Sequence, residues 1–330
     1  MNRIRLLTKL NDVSVGLSKK ESLEQSDCFI FSGKQVIAFN GEIMCRAKNP
    51  FDFDAIVPAK EFLKLLTLMN DNEIQITIED NEIIVKGKNK KAGITCDVDL
   101  LLPYKEIPKP GEWSKVNENL NNILYQASLA CGTDETMPMT TCVHATEDRI
   151  EACDNNRLYI AKISTGIPLE ILIPAISLNN IKNYKLVAVS NVKEWLHFKT
   201  KSNCIISIRC YSGDYHKDTE KQFEMKGEKL ELPDELIDIL RRAEVMIEGA
   251  SWETEVHLEL KKNTLIIKSN KDGGWYEEKK RIKYSGKELA FSIQPELLID
   301  ILEKEKVVTV CEDRLKIKTG NVKFIVMLRV

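Results

Sequence analysis

A short pattern occurs three times along the chain and limits the folds that it can adopt. The sequence IVPAKEFLKLL begins at Ile56, and related versions, LIPAISLNNIKN and SIQPELLIDIL, begin at Leu172 and Ser292. Each version has a short apolar run, a proline near the start of a helix, and apolar residues at helical spacing. Strand-like runs follow each version. The repeat therefore predicts three like α+β domains, each with two helices on one side of antiparallel sheets.

Two segments of unusual composition separate the three repeats. LLPYKEIPKPGEW, from Leu101, holds three prolines and a glycine, which suits an extended connector. YSGDYHKDTEKQ, residues 211–222 and named here the crossing segment, has the polar, turn-forming composition of a passage between domains. The predicted domains are residues 1–103, 104–217 and 218–330, each of roughly 110 residues, an ordinary domain size.

Composition narrows the function further. Lys and Arg (48) nearly balance Asp and Glu (50), so a uniformly basic surface is excluded and any nucleic-acid contact must be local. The nine cysteines are an odd number without a regular spacing, which favours reduced thiols in a cytosolic protein. No run resembles a signal peptide or a membrane span. We expect a cytoplasmic protein without a membrane partner.

The sequence offers little support for an enzyme. Cys131, Cys142, His144 and Cys153 could form a metal cluster, but they include no C-x-x-C pair. None of the four histidines lies in a nucleophile motif, and the acidic residues between positions 134 and 154 are expected to be solvated. Phosphate-loop and dinucleotide motifs are absent. We therefore predict no catalytic residues, no metal and no cofactor, although an unrecognised hydrolase stays a third hypothesis.

The carboxyl-terminal run FIVMLRV is predicted to be the last strand of the third domain. Alternation along a strand puts successive side chains on opposite faces. One face would carry Phe324, Val326 and Leu328, and the other Ile325, Met327 and Arg329. We expect only one of these sets to lie in the core, which leaves the other to form a surface. Met327 is then a candidate for a binding groove, because methionine adapts to different ligands.

Five phrases, in order along nearly the whole chain, carry a resemblance to a known family. They are VPAKEFLKLL, LLPYKEIP, DNNRLYIAKI, LELPDELIDILRRA and FIVMLRV. In these phrases and in its threefold repeat the chain resembles the bacterial DNA polymerase sliding clamp, the beta subunit that acts as processivity factor. The divergence of the phrases would suit a phage or mobile-element version. The specificity of the resemblance lies in order and spacing, because none of the phrases is a catalytic signature.

The resemblance implies a DNA clamp fold and a role in DNA replication. Two copies would pair head to tail as a homodimeric ring around double-stranded DNA, with an edge strand in residues 93–100 pairing with residues 276–284 of the other copy. Such a ring tethers DNA polymerase, and both polymerase and clamp loader bind through short peptide motifs. The alternative is a clamp-derived scaffold that binds these peptides without encircling DNA.

The resemblance also assigns candidate contacts to duplex DNA, because helices line the hole of a clamp. By position these are Arg3, Arg5, Lys9, Lys19, Lys20, Lys60, Lys64, Lys182, Arg241 and Arg242. The simpler interpretation of each residue is a solvated helix face. A ring that slides should make few strong phosphate contacts, and a near-neutral chain is compatible with that.

The peptide pocket of the family lies between its second and third domains. Motif matching places Met139, Asn155, Asn156, Arg157, Leu158, Tyr215, Lys217, Gln294, Leu297, Val326, Met327 and Leu328 in it. An apolar groove with a few polar anchors suits a short peptide. The simpler alternative is that Leu158, Leu297 and Val326 belong to ordinary cores.

The chain departs from the family at several of these places. The first helix starts almost at Met1, so the strand that precedes it in the family is missing. Asn155 and Asn156 replace a Gly-His pair, Gly213 replaces a common proline, and the tail lacks a proline between Met327 and Leu328. These changes bear on the shape and the specificity of the predicted peptide pocket.

Overall fold

A computed structural model gives the fold of the chain. It describes residues 1–18, 23–97, 99–134, 136–216, 218–248, 255–303 and 305–328. Six α-helices lie in these ranges: α1 (Arg3–Val13), α2 (Ala59–Leu68), α3 (Leu120–Ser128), α4 (Ala175–Ile181), α5 (Leu236–Glu244) and α6 (Pro295–Leu302). Among the described residues, no helix is both long and apolar enough to cross a membrane.

The repeated prolines mark helix starts, as predicted. Pro58 immediately precedes α2, and Pro174 immediately precedes α4. Pro295 is the first residue of α6, where a missing backbone N–H leaves no intrahelical bond unmade. The apolar spacing then buries one side of each helix, as Phe62 and Leu66 show in α2.

The described part of the chain contains 23 strands. The first group is β1 (Cys28–Ser32), β2 (Gln35–Phe39), β3 (Ile43–Lys48), β4 (Ala55–Pro58), β5 (Gln75–Glu79), β6 (Glu82–Lys86), β7 (Lys91–Thr95) and β8 (Ser114–Lys115). The second is β9 (Cys142–Ala145), β10 (Arg149–Cys153), β11 (Arg157–Lys162), β12 (Ile171–Pro174), β13 (Leu186–Val192), β14 (Trp195–Thr200), β15 (Ile205–Arg209) and β16 (Glu228–Glu231). The third is β17 (Val256–Lys261), β18 (Thr264–Lys271), β19 (Gly274–Arg281), β20 (Leu289–Ile293), β21 (Val307–Val310), β22 (Arg314–Thr319) and β23 (Val322–Met327).

Strand order repeats three times, as the sequence pattern predicts. In each repeat, three consecutive strands form a meander, and the fourth strand pairs with the first of them. The three orders are β4-β1-β2-β3, β12-β9-β10-β11 and β20-β17-β18-β19. After the second helix of each repeat comes an antiparallel meander, β5-β6-β7, β13-β14-β15 or β21-β22-β23. All of these pairings are antiparallel, and the fold is α+β.

The first repeat differs from the others at its amino end. β8 extends the second meander and β16 extends the third. At the corresponding place in the first repeat, within the described residues, Asn2 forms an isolated bridge with Glu73 in place of a strand. The Met1 ammonium nearby donates a hydrogen bond to the Ile74 carbonyl at 2.7 Å. The chain therefore enters α1 almost directly, and Asn2 caps this helix by accepting from the Arg5 N–H.

Contacts divide the chain into two compact units. Unit 1 comprises residues 1–121, 166–168 and 180–211, and unit 2 comprises residues 122–165, 169–179 and 212–330. Unit 1 contains an eight-stranded sheet in which β3 pairs with β15, and unit 2 contains one in which β11 pairs with β23. Each large sheet thus joins strands from two repeats, while the three-domain boundaries stay a prediction.

The large sheet of unit 1 is covered on both faces. Leu6, Leu10 and Val13 of α1 are buried on the helix side. On the other face, Leu102 and Ile107 of the proline-rich connector join a buried cluster with Ile30, Ile37, Phe39, Met44 and Trp195. The connector therefore packs along the sheet and includes one short 3-10 turn, at Tyr104–Glu106.

The last strand, β23, is also buried on both faces, which corrects one expectation from the sequence. Phe324 and Val326 lie in the core as expected for one face, but Ile325 is equally buried on the other. Ile325 packs with Leu158 and Ile160, and the half-buried Phe223 and Met327 lie against this cluster. The prediction that only one face lies in the core is wrong, because the chain following the crossing segment covers the second face.

Candidate functional site

A cavity of about 340 Å³ lies in unit 2, at the amino end of β11 and the carboxyl end of β23. These strands are antiparallel neighbours, with Leu158 opposite Ile325, so the two side chains come from adjacent positions of one sheet. Together with Met327 and Met137 they supply the apolar part of the lining. Met327 is half-buried, and its flexible thioether side chain can adapt to different ligands.

The remaining lining residues are mostly polar, and most come from three places. The turn before β11 with the first residue of that strand, the crossing segment, and β22 contribute Asp154, Asn155, Asn156, Arg157, His216, Asp218, Thr219, Gln222 and Arg314. Thr140, before β9, and Cys153, at the end of β10, complete the described lining. Asn155 and Asn156 are exposed at the turn. An apolar floor beneath hydrogen-bonding side chains suits a short peptide with apolar anchors.

Asp154 and Arg157 hold the turn at the amino end of β11. One carboxylate oxygen of Asp154 accepts hydrogen bonds from the backbone N–H groups of Asn156 and Arg157, both at 2.7 Å. The other accepts from Arg157 Nε at 3.0 Å. Arg157 is buried, and its Nη2 also donates to the Cys131 carbonyl at 3.3 Å. The arginine therefore stabilises the wall of the cavity through paired hydrogen bonds, and its charge is neutralised there.

The crossing segment is anchored to β9 and β10. The Tyr215 ring stacks on His144, and its hydroxyl donates to Cys153 Sγ at 3.2 Å. Four residues further along, Thr219 Oγ1 donates to Glu151 Oε2 at 2.6 Å. Burial raises the pKa of Glu151, but hydrogen bonds from His144, Thr219 and Arg149 outweigh it, so the pKa lies below its usual range. Glu151 is therefore a charged acceptor at neutral pH.

A second anchor ties the same segment to β11 and β23. Glu220 accepts from Lys323 Nζ at 2.6 Å, and its carboxylate lies 2.9 Å from Lys162 Nζ. Hydrogen bonds from these two lysines lower the pKa of Glu220 to about 2. Arg314 of β22 adds a third connection, because its Nη1 donates to Gln222 Oε1 at 2.6 Å. The wall of the cavity is thus held to three strands by charge-assisted bonds.

The chemistry of the cavity favours binding. Burial raises the pKa of Cys153, so this thiol stays protonated at neutral pH and is a poor nucleophile. Within the described ranges, no group of three or more His, Cys, Asp or Glu side chains is placed to hold a metal ion. His144 contacts the carboxylates of Glu170 and Glu151 and lies under Tyr215, so it supports the wall.

Comparisons with known sequences and with solved structures give different results for this chain. No family model matches the chain, and no curated protein sequence matches it. Solved structures do match: the DNA polymerase sliding clamp from Bacillus subtilis has a TM-score of 0.75 at 18% identity, over 100% of this chain and 98% of that one. The chain has the sliding-clamp fold. The beta subunit of Streptococcus pyogenes DNA polymerase (TM-score 0.74, 17% identity) and the Pseudomonas aeruginosa clamp (0.72, 16%) match over the same shares, 100% and 98%.

The sliding-clamp fold brings five of the predicted pocket residues together. These are Asn155, Asn156, Arg157, Leu158 and Met327, all of which line the cavity. Lys217 lies outside the described residues. Six others do not line the cavity: Met139 is exposed, and Tyr215, Gln294, Leu297, Val326 and Leu328 are buried. Tyr215 nevertheless contributes indirectly, because it anchors the crossing segment.

Several lining residues were missed by sequence reasoning. Asp154 begins the DNNRL stretch, but its turn-forming role depends on backbone geometry that the sequence does not show. The sequence did contain an indication of Ile325, because strand alternation places it on the same face as Met327. Arg314 could not be found from sequence, because it meets the cavity only through the pairing of β22 with Met327 of β23. The crossing segment contributes His216, Asp218, Thr219 and Gln222. Its composition identified it as a passage between domains but did not show where it packs.

The predicted DNA contacts of the clamp fold have different surroundings. Arg3 donates to the Asp71 and Leu66 carbonyls, both at 2.9 Å, so its guanidinium caps the end of α2. Lys60 and Lys64 are exposed on α2, and Lys182 is half-buried. Lys19 and Lys20 lie outside the described residues. Arg5 and Lys9 of α1 line a second cavity, in unit 1.

Arg241 and Arg242 of α5 are both exposed but are paired within unit 2. Arg242 Nη2 lies 2.7 Å from Glu278, and the guanidinium makes bidentate contact with this carboxylate. Hydrogen bonds to Glu278 and Tyr276 raise the pKa of Arg242. Arg241 Nη2 lies 3.6 Å from Glu303. A phosphate would have to compete with these carboxylates, least so at Arg241, where the pairing is longer.

Proposed function

We propose that this protein is a DNA sliding clamp, a homodimeric ring that encircles duplex DNA and tethers DNA polymerase during replication. The observation that carries the proposal is the cavity of unit 2, with its apolar floor of Leu158, Ile325 and Met327 beneath a polar rim. It lies in a chain whose whole length has the sliding-clamp fold. The cavity would take the short peptide motifs of polymerase and clamp loader.

Ring closure would use the edge strands of the two small sheets. β7 ends the sheet β5-β6-β7 and β19 ends the sheet β19-β18-β17-β20. An open edge offers unpaired N–H and C=O groups to another chain. Trp275, at the start of β19, is 74% exposed, which suits a residue that is covered by a partner. Pairing of β7 with β19 of a second copy, and the converse, would close a symmetric dimer.

The first test measures the mass of the protein in solution and its retention on circular DNA. Light scattering at micromolar concentration should give the mass of a dimer. Dimers assembled from dilute monomer in the presence of nicked circular DNA should include rings closed around that DNA. These rings should stay on the circle at high salt and leave it when a restriction enzyme linearises it, because the link is topological and needs few phosphate contacts.

The outcomes distinguish the clamp from the alternative scaffold. A monomer that binds polymerase peptides would support the scaffold, and a dimer held equally on circular and linear DNA would contradict a sliding ring. Trp275→Lys serves as the interface variant, because it replaces an exposed apolar ring at the start of β19 with a charge. It should shift the mass to that of a monomer, whereas Lys262→Gln, an exposed change on the same unit, should leave the dimer intact.

A further inference from the structure

A second cavity, of about 840 Å³, lies in unit 1 where β3 and β15 part. The last backbone pair between these strands joins Arg46 to Ile205, and the cavity opens beyond it. We name it the basic cleft. Within the described part of the chain, its charged lining consists of one carboxylate, that of Asp12, and six cations, Arg5, Lys9, Arg46, Lys48, Lys109 and Lys199. Positions 46, 48, 109 and 199 were not among the DNA contacts predicted from the sequence.

Among the residues that the structure describes, the cations of the basic cleft have no acidic partner. None of the six forms an ion pair with any residue that the structure describes. Elsewhere in the chain, Arg149, Arg157, Arg242 and Lys323 all contact carboxylates within 4 Å. Six positive charges that lie together beside a single carboxylate repel one another. The cleft therefore attracts a ligand with several negative charges.

Arg46 provides a second, independent observation. It is half-buried beside the parting strands, and burial lowers the pKa of its guanidinium. The charge of Arg46 also affects His197. Burial is the larger cause and the Arg46 charge the smaller one, and together they lower the pKa of His197 to about 4. A desolvated cation without a carboxylate costs free energy, and a bound anion would recover part of it.

The cations enter the cleft from both faces of the sheet. α1, which carries Arg5 and Lys9, packs on the Cys45 face, because Cys45 Sγ donates to the Asp12 carbonyl at 3.4 Å. The connector, which carries Lys109, packs on the opposite face through the cluster around Met44. A polyanion that contacts all of them must pass along the end of the strand pair, so it must be thin and flexible.

We propose that the basic cleft binds the phosphodiester backbone of single-stranded DNA. This proposal depends on the proposed function, because a clamp that acts in replication lies where single-stranded template adjoins the duplex. A duplex is a stiff rod whose phosphates would reach the exposed Arg5, Lys48 and Lys109 more readily than the half-buried Arg46. A single strand can bend into the cleft and contact Arg46. None of the described lining residues is aromatic, so bases are not stacked and binding is independent of sequence.

The test measures binding of short, linear DNA, which a ring cannot retain topologically. The probes are a labelled oligothymidylate of about 12 nucleotides, within the site size of single-strand grooves, its uncharged methylphosphonate analogue, and a duplex of equal length. Fluorescence anisotropy at several salt concentrations should show tightest binding of the oligothymidylate, weaker binding of the duplex and none of the analogue. The salt slope should reach roughly −4 if all six cations take part.

Paired variants locate the site. Lys48→Gln with Lys109→Gln removes two exposed cations of the cleft, and should weaken oligothymidylate binding about tenfold and make the salt slope shallower by roughly 1.5. Lys226→Gln with Lys262→Gln removes two exposed lysines that lie outside the cleft, and should change neither. Melting curves of both variants should match that of the wild type.

A second measurement does not depend on the variants. An oligothymidylate that carries an abasic aldehyde should form imines with lysine amines of the cleft, and reduction with cyanoborohydride should fix it to peptides that contain Lys9, Lys48, Lys109 or Lys199. Crosslinks confined to other segments would overturn the proposal, as would equal loss of binding in both paired variants or tighter binding of the duplex. The circular-DNA experiment stays separate: failure of the cleft leaves topological retention intact, and a monomer that retains no circle can still bind oligothymidylate.

Discussion

The Tyr215 ring stacks on the His144 imidazole, with ring centroids 4.5 Å apart and planes inclined by 18°. This contact joins the crossing segment to β9 and sets one wall of the candidate peptide pocket. Tyr215 is only 6% exposed, so Tyr215→Ala should lower the free energy of unfolding by about 3–5 kcal/mol, as expected for truncation of a buried aromatic ring. Urea unfolding measures this loss.

The matched variant Tyr215→Phe keeps the stacked ring and removes only the hydrogen bond to Cys153 Sγ. It should cost about 0.5–1.5 kcal/mol. The two variants should also differ in binding of a heptapeptide selected against the wild-type protein, with Tyr215→Ala much the weaker. Equal effects of both changes would show that the hydroxyl, and not the stacked ring, positions the crossing segment.

Met327 and Leu158 line the same pocket but should respond differently to truncation. Met327 is half-buried, so Met327→Ala should weaken binding of the selected heptapeptide by about 1–3 kcal/mol while stability changes little. Leu158 is 7% exposed and belongs to a buried cluster, so Leu158→Ala should cost about 2–5 kcal/mol of stability. Calorimetry of binding and of unfolding separates the two. A large loss of stability in Met327→Ala would place it in the core.

His197 should make the stability of the protein depend on pH in a mildly acidic window. The side chain is fully buried, and burial together with the Arg46 charge lowers its pKa to about 4. In the unfolded chain this side chain binds a proton near pH 6.5, whereas in the folded protein it stays neutral down to about pH 4. Above pH 6.5 the side chain is neutral in both states, and the free energy of unfolding then falls as the pH drops from 6.5 towards 4. The loss approaches roughly 3 kcal/mol.

The variant His197→Gln tests this assignment, because glutamine can replace the hydrogen bond between Nδ1 and Ser207 Oγ but cannot be protonated. Urea unfolding between pH 7 and pH 4 should show a flatter pH dependence for the variant. An unchanged slope in His197→Gln would assign the dependence to other groups.

Glu220 should stabilise the crossing segment down to a lower pH than an ordinary carboxylate. Its bonds to Lys323 and Lys162 lower its pKa to about 2. The contribution is therefore complete above the unfolded pKa, near 4.3, and is lost as pH falls through 2. In Glu220→Gln the difference in stability from wild type should be constant above pH 5 and shrink on acidification. A difference that does not vary with pH would rule out a role for the ion pairs.

The sequence by itself determined the local elements and their repetition. Prolines at positions 58, 174 and 295 and the apolar spacing after them predict three helices, and strand alternation predicts that Ile325 and Met327 share a face. These features depend on neighbouring residues, and local sterics and periodicity govern them. The resemblance carried by the ordered phrases predicted the clamp fold.

Only the tertiary structure decided which distant residues meet. The burial of Ile325 beneath the half-buried Phe223 depends on how the chain after the crossing segment packs, and the periodicity of β23 carries no information about it. Arg5, Arg46, Lys109 and Lys199 converge in the basic cleft because β3 pairs with β15 and then parts from it at Ile205. Side-chain period fixes the face on which a residue lies, whereas the strand or helix placed against that face depends on packing between segments far apart in the chain.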